Sequence, residues 1–130
     1  MQFTEAELTV ALTAVAKATL AAQSKEIRKG RVDVEDVWRD LDGYGRYQLL
    51  DSLGTQILPV LVSLPDVPRV HGERPAYKAS QIRVAVEEHL DGVEGRLRRV
   101  AVVAARTALV QNALAQLPTW VDPEKSLGEG

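Results

Sequence analysis

Residues 3–30, FTEAELTVALTAVAKATLAAQSKEIRKG, repeat apolar side chains at intervals of three and four, a spacing that suits an α-helix and not a strand. Thr4 followed three residues later by Glu7 forms a capping box, and Gly30 supplies a left-handed exit. One long helix is therefore expected over about residues 5 to 29. At about 100° per residue, Leu8, Ala11, Leu12, Val15, Ala18, Thr19 and Ala22 share an apolar sector. Val10, Ala14 and Ala21 form a second, small-residue strip, against which another helix can approach closely.

The far end of the chain has the same character. From about Tyr77, in KASQIRVAVEEHLDGVEGRLRRVAVVAARTALVQNALAQL, the residues Val86, Leu90, Val93, Leu97, Val100, Ala104 and Ala108 share one sector. Their phase carries across Gly92 and Gly95 without a jump, which predicts a bend between two collinear helices rather than a reversal. A second stripe, Val103, Val110, Leu114 and Leu117, makes this half apolar over about half its circumference, so it is expected to be the most buried element. Pro118 ends it. The remainder, residues 118–130, reads as a tail anchored by Trp120, leaving residues 1–117 as the helical domain.

Between these ends, Asp33 caps a short helix with Val34, Val37, Trp38 and Leu41 at inward-facing spacing, and Gly43 to Gly45 break it. RYQLLDSLGTQILPVLVSL then aligns Tyr47, Leu50, Gly54, Ile57, Leu58 and Leu61, and Pro59 is expected to kink or end that helix. LPDVPRVHGERPAY, with three prolines and a glycine, is the principal loop. These segments predict an all-α, single-domain bundle of four to five helices, with two long terminal helices packed together and a shorter middle pair covering them.

A chain of 130 residues can bury roughly two thirds of its unfolded surface without staples. The absence of cysteine removes disulfides, thiolate metal sites and cysteine nucleophiles. Apolar runs are broken by charge well before about 18 residues, and MQFTEAELTV lacks the basic-then-apolar order of a signal peptide, so a cytoplasmic location and no membrane contact are expected. Arginine outnumbers lysine eleven to five in an alanine- and valine-rich chain, the bias of GC-rich genomes, which suggests a bacterial source. The net charge of −2 hides an uneven layout: residues 32–66 carry two basic and seven acidic side chains, and residues 92–117 carry four basic and one acidic. Neighbouring helices that neutralise each other are the simplest reading of that pattern.

DLDGYGRYQLLD, residues 40–51, imitates a calcium loop with Asp40, Asp42, Gly45 and Asp51 at its first, third, sixth and twelfth positions. Tyr44 occupies the fifth, where a short oxygen ligand is needed, and Asp51 is one methylene short of the two-oxygen glutamate grip. The helical stripe through Tyr47 and Leu50 argues instead for a glycine turn, with Asp42 capping the next helix. No metal or other cofactor is expected, and zinc has only His71 and His89 to draw on.

Arg96, Arg99 and Arg106 fall within about 80° on the last helix and form a basic strip for phosphate or an acidic partner. Their plainer role is to lay their stems along the apolar face and pair with the acidic region. Net acidity and the lack of interleaved aromatics argue against nucleic acid. Arg69, His71, Arg74 and Tyr77 are the loop candidates for acid–base or binding chemistry, solvated loop charge being the alternative. No nucleophile elbow, zinc-protease motif, phosphate loop or dinucleotide fingerprint occurs in the chain. The expectation is a noncatalytic interaction or assembly module that self-associates as a homodimer or binds another protein, with Val10, Ala14, Ala21 and the arginine strip as contact candidates. The alternative is a small regulatory protein that contacts nucleic acid through those arginines.

Overall fold

In the computed structural model, which describes residues 1–90 and 92–124, every regular element is helical and no strand occurs among those residues. The helices are α1 (Glu5–Gln23), α2 (Lys25–Arg28), α3 (Val34–Asp40), α4 (Gly43–Ser63), α5 (Ala79–Glu88) and α6 (Arg96–Gln116). The chain is thus the all-α bundle that its spacing predicts. One more helix than expected arises because the first segment splits at Ser24. There the backbone becomes extended, the Ser24 amide closes α1 on the Leu20 carbonyl at 3.1 Å, and its hydroxyl accepts the Ile27 amide at 3.3 Å to start α2. A serine hydroxyl offers the backbone an alternative to helical hydrogen bonds, which accounts for the break. Gly30, at φ +74°, then turns the chain.

The capping box opens α1 as expected, with the Thr4 hydroxyl accepting the Glu7 amide at 3.1 Å and the Glu7 carboxylate accepting the Thr4 amide at 3.0 Å. Asp33 and Asp42 cap α3 and α4, the Asp42 carboxylate accepting the Gly45 amide at 2.6 Å. Gly43–Gly45 therefore form the first turn of α4 rather than a break before it. A Cβ on Gly45 would stand 2.9 Å from the Asp42 carboxylate oxygen, so this glycine leaves room for the cap. Pro59 does not end α4, which runs on to Ser63. Its ring and the Thr55 carbonyl it leaves unpaired both lie on the exposed side, where water reaches them.

Three helices of similar length frame the molecule. The Met1 amine donates to the Val62 and Leu64 carbonyls, and Leu12 packs beside Gly54, so α1 and α4 run antiparallel. Phe3 and Trp120 flank Arg69 from the two termini, which places the C-terminal end of α6 beside the start of α1. It follows that α4 and α6 run parallel to each other and antiparallel to α1. The middle of the chain is accordingly no short cover: α4, at 21 residues, matches α6 and supplies Leu53, Ile57, Val60 and Leu61 to the core. Tyr47, about 80° around the helix from Ile57, is exposed instead. Against these pack Ala11, Val15 and Ala16 of α1, Ile82, Ala85 and Val86 of α5, and Val103, Val110, Ala113 and Leu114 of α6. Each fully buried branched aliphatic contributes about 1.5–3 kcal/mol through removal from water. The methyl-only Ala11 and Ala16, fully buried, admit close helix approach; the predicted small-residue strip lies elsewhere, with Val10 exposed and Ala14 and Ala21 half-buried.

The segment predicted as two collinear helices is a reversal. Arg106 of α6 reaches back to the His89 carbonyl at 3.5 Å, and Ile82 lines one cleft with Gln111 and Leu114, so α6 folds back along α5. Gly92 and Gly95, at φ +74° and +91°, take the backbone through the left-handed region that such a turn uses. The reversal frees α6 from the phase of α5. Its stripe of Val103, Val110 and Leu114 turns to the core, and the stripe predicted to face inward, with Leu97, Val100, Ala104 and Ala108, is exposed. Residues 96–101 are exposed throughout, so α6 is not the most buried element.

Candidate interaction surface

Three of the four loop candidates, Arg69, His71 and Arg74, are held in place by contacts far away in sequence, and Tyr77 by one within the loop. Arg69 forms an ion pair with Glu7 in which the side chains are only 15% and 11% exposed, and its guanidinium lies 6.0 Å from the Phe3 ring centroid and 5.9 Å from that of Trp120. Burial by itself pushes the Glu7 carboxyl upward, but hydrogen bonds from Arg69 and Thr4, together with the guanidinium charge, outweigh it and hold Glu7 below its ordinary range. His71 accepts the Asp122 amide at Nδ1, 3.0 Å away, a geometry that needs a lone pair there and places the proton of the neutral ring on Nε2. Arg74 donates to the Leu117 carbonyl, and the Gly72 and Trp120 amides each donate across at 2.9 Å, to Trp120 and Glu73 respectively. Tyr77 donates its hydroxyl to the Pro65 carbonyl at 2.7 Å. Burial and the Asp66 charge raise its phenol above the usual value, with Arg69 opposing, so it acts as a donor and not as a base at neutral pH. Arg74 and Tyr77 line a cleft of about 290 Å³ with Ile82 and Gln111, whereas Arg69 and His71 lie outside that lining.

The segment that imitates a calcium loop is a helix cap followed by a helix. Asp42 is engaged in the cap, Asp40 closes α3, and Asp51 projects from the exposed side of α4. No group of three or more histidine, aspartate or glutamate side chains is poised to hold a metal ion among the described residues.

The predicted arginine strip divides. Arg106 is half-buried and tied to the His89 carbonyl, while Arg96 and Arg99 are exposed at the start of α6. Neither meets the acidic 32–66 region: among the described residues, Arg96, Arg98, Arg99 and Arg106 form no ion pair. The acids that do pair bind other partners, Glu35 with Lys17 at 2.9 Å, Asp36 with Arg39 at 2.6 Å and Asp66 with the Met1 amine at 3.5 Å. Lys17 also stands 6.0 Å from the Trp38 ring centroid, fastening α3 to α1.

Arg99 instead rims a groove of about 660 Å³ between α5 and α6. Its apolar lining comes from Ala79 and Val84 on α5 and from Val100, Val103 and Ala104 on α6, with Arg83, Glu87 and Arg99 as the charged members. Val84 is 51% exposed, Val100 63%, and Leu97, one turn before Val100 and on the same face, 87%. A leucine that open to water, continuous with an apolar groove, is a surface suited to covering by another molecule. The α5 side of this groove escapes sequence reasoning. Its one signal is Val84, an apolar residue out of phase with the buried Ile82, Ala85 and Val86.

No helix among the described residues is long and apolar enough to cross a membrane. Comparison with protein-family models, with curated proteins and with solved structures gave no match.

Proposed function

We propose that this protein is a noncatalytic interaction module that self-associates through the groove between α5 and α6. The observation that carries the reading is the outward-facing stripe Leu97, Val100 and Ala104, continuous with Val84 across the groove. Removing such a face from water is favourable at about 25 cal/mol per Å² of apolar area, a gain available on contact with a second molecule. The groove combines apolar side chains with the charged Arg83, Glu87 and Arg99 and the hydroxyls of Ser80 and Thr107, a mixture found at protein contact surfaces. The loop residues that could have served acid–base chemistry are engaged in holding the loop, which favours contact over catalysis.

Light scattering over a concentration series tests this reading. The wild-type chain is expected to exceed the mass of one chain, and Leu97→Asp to return it to that mass with its helical content unchanged. A strict monomer at high concentration overturns the reading.

A further inference from the structure

We infer that, in the dimer, each copy seats Tyr44, Tyr47 and Asp51 of α4 on the other copy's groove between α5 and α6, with Asp51 facing Arg99. This rests on the self-association proposed above and names the second of the two surfaces it uses.

Charge is the first reason. Asp51 is exposed, and its carboxylate has no hydrogen-bond or ion-pair partner among the described residues; the same holds for the guanidinium groups of Arg83 and Arg99 in the groove and of Arg96 at the start of α6. The acidic region of residues 32–66 and the basic region of residues 92–117 thus remain unneutralised by each other within one chain. A second copy brings them together and fixes their register.

Chemistry is the second. At about 100° per residue, Tyr44, Tyr47 and Asp51 fall within about 60° of one another on α4. The two tyrosines are 69% and 64% exposed. Each offers a rigid apolar ring for Val84, Leu97 and Val100 and a hydroxyl that needs an acceptor, which Glu87 supplies inside the groove. Tyrosine is among the residue types that dominate contact energies between proteins.

Position is the third. Because α4 and α6 run parallel, the strip at the start of α4 and the groove face at the start of α6 occupy the same end of the bundle, opposite the Arg69 ion pair. Two surfaces at one end can exchange across a two-fold axis, so the contact is made twice and the assembly closes as a dimer.

Sedimentation equilibrium at two salt concentrations separates the outcomes, using wild type, Leu97→Asp, Tyr47→Ala, Asp51→Arg, Arg99→Asp and the double variant Asp51→Arg/Arg99→Asp, with circular dichroism confirming that each is folded. The wild type is expected to dimerise more weakly at high salt, each charge reversal to raise the dimer Kd by about tenfold or more, and the double variant to recover most of that loss. A dimer abolished by Leu97→Asp but unchanged by Asp51→Arg and Tyr47→Ala overturns the docking of α4 and leaves groove-mediated self-association standing. A wild-type monomer, or a dimer that none of these substitutions affects, overturns both.

Discussion

At the end of the bundle where α1 begins and α6 finishes, Arg69, His71 and Arg74 tie the long loop to the terminal segments, and Tyr77 closes the loop on its own Pro65 carbonyl. At the other end, Tyr44, Tyr47, Leu97 and Val100 face outward, and Arg96, Arg99 and Asp51 stand without a counter-ion among the described residues. The same residue types serve opposite purposes at the two ends. A buried arginine beside a carboxylate locks the chain to itself, whereas an exposed arginine beside an apolar groove leaves the surface open to another molecule.

The contrast is broken most severely through Arg69. Arg69→Ala leaves Glu7 as an uncompensated carboxylate in a poorly hydrated site and is expected to cost about 3–5 kcal/mol in urea unfolding, whereas Arg99→Ala changes stability by no more than about 0.5 kcal/mol. Acid should weaken the same clamp. Glu7 is held below its ordinary value in the fold, so its stabilisation is present above the unfolded-state value and is lost as pH falls through the folded one. Unfolding followed across the carboxylate range should show a shallower acid decline in Glu7→Gln than in wild type.

Next in size is a comparison within α6. Leu114→Ala, in the buried stripe, should cost about 3 kcal/mol in thermal or urea unfolding, and Leu97→Ala less than about 0.5 kcal/mol when measured under monomeric conditions. Equal costs would mean that both stripes are internal and that the open end is not open. The smallest effect concerns the start of α4: Asp42→Ala removes the cap on Gly45 and should cost about 1 kcal/mol, while raising the dimer Kd if the first turn, which carries Tyr44, loosens.

Much of the secondary structure was legible because caps are local. Thr4 with Glu7, Asp33 and Asp42 announce helix starts within four residues, and each is used. The orientation of α6 was not, since periodicity records phase along the chain and not direction in space. Residues 89–95 happen to preserve phase while Gly92 and Gly95 help turn the chain back, so the predicted inner stripe and the actual one are exchanged. The loop clamp was equally hidden: Arg69 meets Glu7 across 62 positions and Asp122 meets His71 across 51, separations that no local pattern encodes. The candidate groove needed both helices in place. Arg99 was visible beforehand as part of a basic strip, but Arg83 and Val84 gained meaning only once α5 lay alongside α6.

The packing of α1 against α6 governs when the protein can come into being on the ribosome. About 90 residues separate the starts of these helices, and at about 5–20 residues per second α1 emerges several seconds before its partner exists. The side of α1 that packs against α6 remains uncovered through the interval, so nascent chains stalled before α6 are the species that chaperones would meet.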